Sequence, residues 1–377
     1  MRLFCLAIIG LAASLTDIST ALCQNSPTDS TGLEDLDLVG VGPLWAKGYD
    51  GNGLALAVLD SPVDPSAVPI AGKVVLQACF GVEIKDGGVT SICPDGKDRG
   101  DGEVTGHAAA TCDWQGCTHG TSVAVVAAGN DTPALRVKGV AKGAQIVAAQ
   151  VFSVTNECQA WGACVKPTDR ALISFQTTLI RALEWVHAAV LEQRSTQVGP
   201  EIVAVIIGSG GSGQYSTSCN EANPFLTKQV QSLLAEDVAI FAPTGNDGYS
   251  DQVSSPACIS GVIPIAALDK SGKLADFSNR NPLLVRLAAP GVGVHTVSDG
   301  RGILMSGTTL ATPLAAGSYV ILKQAFPDLS RVEIAQALER GGNRVSDGIA
   351  EYTALSLSGA FAYLEHKKSK HDIVGAH

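Results

Sequence analysis

Lysine and arginine are few and scattered in this chain: 26 of them against 36 aspartates and glutamates in 377 residues, a net charge of −10. Without a basic patch or stripe there is nothing to neutralise a phosphate backbone or an anionic lipid surface, so nucleic acid and membrane surfaces are not expected partners. The sequence has no internal repeat, which argues against solenoids, and no Pro/Gly/Ser linker long enough to separate a pair of domains. The apolar run at its start, Leu3 to Leu15, is cut off by Asp17 and falls short of the roughly 20 residues that a membrane-spanning helix needs. What the chain does have is hydrophobic side chain, 46% of all residues, enough to fill the core of one large domain.

Residues 1–23 have the layout of a cleaved secretory signal: Arg2, the apolar run, then the small residues Ser19, Thr20 and Ala21. A short segment, 24–43, separates it from a domain expected to run from Leu44 to Glu365, and residues 366–377 are polar, basic and patternless, as in a mobile tail. Export suits the cysteines. With Cys5 and Cys23 removed, eight remain: Cys79, Cys93, Cys112, Cys117, Cys158, Cys164, Cys219 and Cys258. An even number in an exported chain reads as four disulfides, and the expected pairs are Cys158 with Cys164, Cys219 with Cys258, and two bridges among the first four. A zinc site at His107, Cys112, Cys117 and His119 is the rival arrangement, but its spacing is not that of known zinc motifs, so no metal site is assigned. Asp95, Asp98, Asp101 and Glu103 form an acidic, glycine-rich loop without EF-hand spacing, read as a solvated loop.

Nearly continuous apolar runs mark buried parallel strands at 54–59, 145–151, 202–207, 238–242 and 262–267. Helical periodicity lies between and after them: 121–128, 171–192, 225–236, 310–324 and 331–339. The alternation predicts an α/β fold in three layers, a mainly parallel sheet with helices on both faces.

Three positions carry chemistry. Asp60 ends the first strand, where a carboxylate points into the crevice at the C-terminal edge of a parallel sheet. His119, in Thr118-His119-Gly120-Thr121-Ser122, opens a helix; an imidazole there accepts a proton when a carboxylate holds its other nitrogen. Thr309, in Gly307-Thr308-Thr309, places a hydroxyl at another helix start, beside free backbone N–H groups. Taken singly, each has an ordinary structural explanation: a turn, a buried histidine, a helix cap.

Together, in the order Asp, His, hydroxyl, they resemble the subtilisin-like proteases. The stretch Gly307-Thr308-Thr309-Leu310-Ala311-Thr312-Pro313 is similar to the family's G-T-S-M-A-x-P with threonine in the serine slot, Gly139-Val140-Ala141 to its G-V-A turn, and Gly245-Asn246-Asp247-Gly248 to its G-N-x-G. The resemblance covers about Leu44 to Ala362. It implies that Asp60 orients His119, that His119 takes the proton of the Thr309 hydroxyl, that Asn246 donates to the oxyanion, and that Gly208, Ser209 and Gly210 pair with an extended or unfolded polypeptide substrate. It also implies a secreted monomer whose chemistry needs no cofactor, with room for a structural calcium ion.

The departures carry weight too. Besides Thr309, the chain has Pro62 where the family has glycine, Ser122 for its second histidine, Val125 for a helix glycine, and Ile206-Ile207-Gly208-Ser209-Gly210-Gly211 for N-M-S-L-G-G. Pro62 is expected to disturb the Asp60 turn and Gly208 to loosen the substrate strand. Ser306 is set aside as a nucleophile because it lies outside the helix start. Two readings follow: an endopeptidase with a threonine nucleophile, or an inactive homologue that binds peptide or a partner protein through the same cleft.

Overall fold

The computed structural model describes residues 33–94, 100–101, 112, 115–157, 170–211 and 213–374. The proposed signal peptide and the residues up to 32, together with His107, Cys158, Cys164, Asp95, Asp98 and Glu103, lie outside the described residues.

A ten-stranded sheet forms the middle layer. Its spatial order is Arg344–Ser346, Glu351–Ala354, Leu287–Pro290, Val262–Leu268, Ala239–Pro243, Glu201–Ile207, Leu54–Asp60, Gln145–Gln150, Val74–Cys79 and Gly100–Asp101. All neighbours are parallel except the two outermost pairs. The central strand, Leu54–Asp60, is followed in the chain by the two parallel strands on one of its sides and then by those on the other. That reversal makes its C-terminal end a topological switch point, the place where open α/β sheets gather ligands.

Alternation along the strands divides the core in two. Leu56, Val58, Ile146, Ala148, Ala204, Ile206, Phe241 and Ala267 face the helices His119–Ala128 and Thr308–Ala325. Ala55, Ala57, Leu59, Val147, Val205, Ile207 and Ile240 face Gln176–Thr196 and Pro224–Ala235. Since Asp60 has the parity of Leu56 and Val58, its side chain belongs on the first face, beneath the His119 helix.

The expected strands and helices are all present, with one correction of type: residues Ala171–Ser174 form a strand, and the helix starts only at Gln176. Backbone pairing joins Ala171–Ser174 to Phe152–Thr155 in a small antiparallel sheet. The ends of the domain also differ from the expectation. Leu33, Leu36 and Val39 are buried in the first core, and the side chain of Asp35 meets His295 Nδ1 at 2.8 Å, so the packed chain begins before Leu44. The last helix, Leu357–Val374, continues past Glu365, and Lys367 Nζ donates to Glu333 Oε1 at 3.0 Å.

Three disulfides occur among the described residues: Cys79–Cys93, Cys112–Cys117 and Cys219–Cys258. The second removes both thiolates that a zinc site would need. No described helix is long and apolar enough to cross a membrane. The Cys219–Cys258 bridge closes a loop of 39 residues, for which the chain-entropy argument gives a stabilisation of about 4 kcal/mol. Replacing both cysteines by serine is expected to lower the free energy of unfolding by about that amount, read by urea denaturation.

Candidate active site

Asp60, His119 and Thr309 come from a strand end and two helix starts, and they meet. His119 Nδ1 lies 2.8 Å from Asp60 Oδ1, and His119 Nε2 lies 3.0 Å from Thr309 Oγ1. Asp60 is fully buried, while 24% of the His119 side chain is exposed, so the dyad is dry at one end and open to the cleft at the other. With Nδ1 carrying its proton toward the carboxylate, Nε2 is the acceptor that faces the Thr309 hydroxyl.

The backbone around Asp60 is fixed by Ser61 and Gly120. Ser61 N donates to Asp60 Oδ1 at 2.6 Å, and Gly120 N donates to Ser61 Oγ at 2.9 Å. A Cβ on residue 120 would lie 2.0 Å from the Ser61 carbonyl oxygen, so glycine after the histidine lets the helix settle on the turn. The Asp60 turn is intact despite Pro62, whose missing N–H is not called upon and whose carbonyl accepts from Thr121 Oγ1 at 3.4 Å. Ser122 is a tie rather than a defect: its Oγ donates to Val297 O at 2.6 Å, fastening the helix to the hairpin Val294–Met305. A hairpin of this kind is hard to see beforehand, although Asp299-Gly300 at its tip, both with positive φ, is the turn signal that marks it.

Asn246 sits across the site. Its Oδ1 accepts from both the backbone N–H and the hydroxyl of Thr308, each at 2.9 Å, which fixes the amide orientation and leaves Nδ2 without a partner among the described residues. Thr308, next to Thr309, is a residue whose contacts sequence reasoning misses. Ser306 Oγ accepts from Gly293 N at 3.0 Å, whereas Thr309 holds the place beside His119. Gly208, expected to line a substrate strand, follows Ile207 directly beside Asp60.

The Subtilase family model matches residues 51–352. This chain belongs to the subtilase family. It is similar to a thermostable alkaline protease of Halalkalibacterium halodurans, 28% identical over 59% of this chain and 51% of that one. It also resembles subtilisin BL of Lederbergia lenta, 28% identical over 68% and 81% of the two chains, and subtilisin DY of Bacillus licheniformis, 26% identical over 75% and 93%. The first of these matches thus spans about half of the relative's length. Among solved structures, the prenylagaramide maturation protease PagA shares the fold, with a TM-score of 0.61, 21% identity and coverage of 86% and 98%. A cold-adapted subtilisin-like serine proteinase aligns with a TM-score of 0.55 at 22% identity, covering 82% and 90%.

In this subtilase, burial opposes the imidazolium form of His119, but the negative charge of Asp60 and its hydrogen bond outweigh it, so the pKa is raised above the ordinary 6.5. A base must be neutral to accept a proton, so any His119-dependent activity rises only as pH passes this elevated value. Asp60→Asn removes the charge that favours the imidazolium and leaves the desolvation, so the His119 pKa is expected to fall below that of the native protein. An NMR titration of the imidazole checks this directly.

Proposed function

We propose that this subtilase is an exported endopeptidase that hydrolyses extended polypeptide, with Thr309 as nucleophile. The observation that carries this reading is the placement of the Thr309 hydroxyl 3.0 Å from His119 Nε2 while Asp60 holds the opposite nitrogen. As Oγ1 attacks the scissile carbonyl carbon, His119 takes its proton and the carbonyl oxygen gains negative charge facing Asn246 Nδ2 and the backbone N–H groups at the helix start. The C–N bond then breaks, His119 passes the proton to the leaving amine, and a water molecule activated by the same imidazole releases the acyl group and restores the hydroxyl. The substrate backbone would lie along Gly208, Ser209 and Gly210, where pairing through main-chain atoms favours unfolded chain.

The extra methyl group of threonine sets the rate rather than the chemistry. One added methyl in a packed site costs about 1 to 3 kcal/mol, so the native residue is expected to be roughly 5- to 150-fold slower than serine in its place. The decisive assay is hydrolysis of an unfolded protein substrate by the native chain, Thr309→Ala and Thr309→Ser. The expected order is Thr309→Ser fastest, the native chain slower, and Thr309→Ala inactive. A native chain no faster than Thr309→Ala overturns the proposal and favours a peptide-binding role for the cleft.

Asn246→Ala gives a second check. It is expected to lower kcat by roughly 10²- to 10³-fold with little change in KM, as loss of one oxyanion donor does.

A further inference from the structure

Gly208 is one of the departures from the family pattern, which has serine at this place in its N-M-S-L-G-G strand. The sheet register pairs Leu59 with Ile207, so residues 60 and 208 are the next neighbours across the ladder, and Gly208 N donates to Leu59 O at 2.8 Å. Their side chains would project from the same face, side by side. Asp60 uses the space that this leaves. A Cβ on residue 208 would lie 1.7 Å from Asp60 Oδ2 and 2.6 Å from its Cγ, distances at which one of the two groups must move. Oδ2 is itself fully buried and has no hydrogen-bond partner among the described residues, so contact with the bare Gly208 backbone, not a donor, defines where it rests. Gly208 has no positive φ, so the need for glycine here is one of space and not of backbone conformation.

We propose that Gly208 is a positioning residue of the Asp60–His119 pair: with no side chain beside Asp60, the carboxylate can lean over the Gly208 backbone and turn Oδ1 toward His119 Nδ1 and Ser61 N. The serine of the family pattern is therefore incompatible with the Asp60 orientation of this chain, and the departure at 208 is matched to the site instead of weakening it. A side chain at 208 pushes the carboxylate off its line to His119. Misplacement of a catalytic group by about 1 Å is enough to cost on the order of 10²-fold in rate.

The test combines stability, titration and kinetics, and only the kinetic component rests on the proteolytic reading. Gly208→Ala and Gly208→Ser are compared with the native chain, each also in an Asp60→Ala background, with Gly210→Ala, two residues further along the chain, as a reference for melting and titration only. At Gly210 an added Cβ meets Ser254 Cβ at 3.4 Å, an ordinary contact. Three results are expected. Gly208→Ala lowers the melting temperature of the native chain, and at least half of that loss disappears when Asp60 is already alanine, because the clashing oxygen is gone. The NMR-measured pKa of His119 falls in Gly208→Ala and Gly208→Ser and stays in place in Gly210→Ala. In the protease assay the two Gly208 variants lose kcat on the order of 10²-fold with KM changed much less. A melting-temperature loss that is the same with and without the Asp60 carboxylate overturns the proposal, as does an unchanged His119 titration in folded Gly208→Ala. Should the native chain prove inactive, the first two readouts still decide the matter.

Discussion

A carboxylate kept dry against an imidazole is the constraint on which the rest of this structure depends. Asp60 has no exposed surface, and the donors it meets are His119 Nδ1 and the Ser61 backbone. A buried charge with so few donors is costly, and it persists where the surroundings leave no alternative position. The central parallel strand supplies that confinement, because its C-terminal end lies at the switch point between the two halves of the sheet and beneath two helix starts. Close approach does the remainder. Gly120 allows the His119 helix to rest on the Ser61 carbonyl, and Gly208 allows the Asp60 carboxylate to rest on the neighbouring strand.

How far the sequence discloses this follows from the same physics. Strands buried on both faces must be apolar throughout, which is why Leu54–Asp60, Glu201–Ile207 and Val262–Leu268 are legible as near-continuous runs. Val74–Cys79 escapes because its first residues are partly exposed near the sheet edge and its run is broken by Gln77. Ala171–Ser174 reads as helix because a short apolar stretch adjoining a periodic one is indistinguishable from its first turn; only the partner strand Phe152–Thr155 decides. Asp60, His119 and Asn246 are legible because the chemistry needs those residue types in motifs that can be quoted. The contacts of Ser61 and Thr308 are not, and Gly208, legible only as a departure in the expected substrate strand, gives no sign of its place beside Asp60, since these distances exist only once the strands are paired.

Thr309 shows how the scaffold limits the effect of one substitution. A rotamer that aimed the hydroxyl away from His119 would break the contact between them, and threonine's restricted χ1 limits the rotamers that keep it. The hydroxyl faces Nε2 at 3.0 Å, so on the proposed reading the cost of the added methyl would fall on the crowded tetrahedral stage and not on this contact. Relief by shifting the helix is blocked. Thr308, one residue earlier, holds Asn246 Oδ1 through both its backbone and its hydroxyl, and Gly307 N is tied to Gly291 O at 2.8 Å. Any displacement of the helix start that eased the methyl would carry the anchor of the Asn246 amide with it. Pro313, without an N–H, leaves the Thr309 carbonyl out of the i+4 hydrogen-bond ladder. On the proposed reading, the added methyl has to be accommodated at residue 309 itself while the contacts of His119 with Asp60 and of Thr308 with Asn246 are kept, which is why a slowed rate and not a lost one is the expectation.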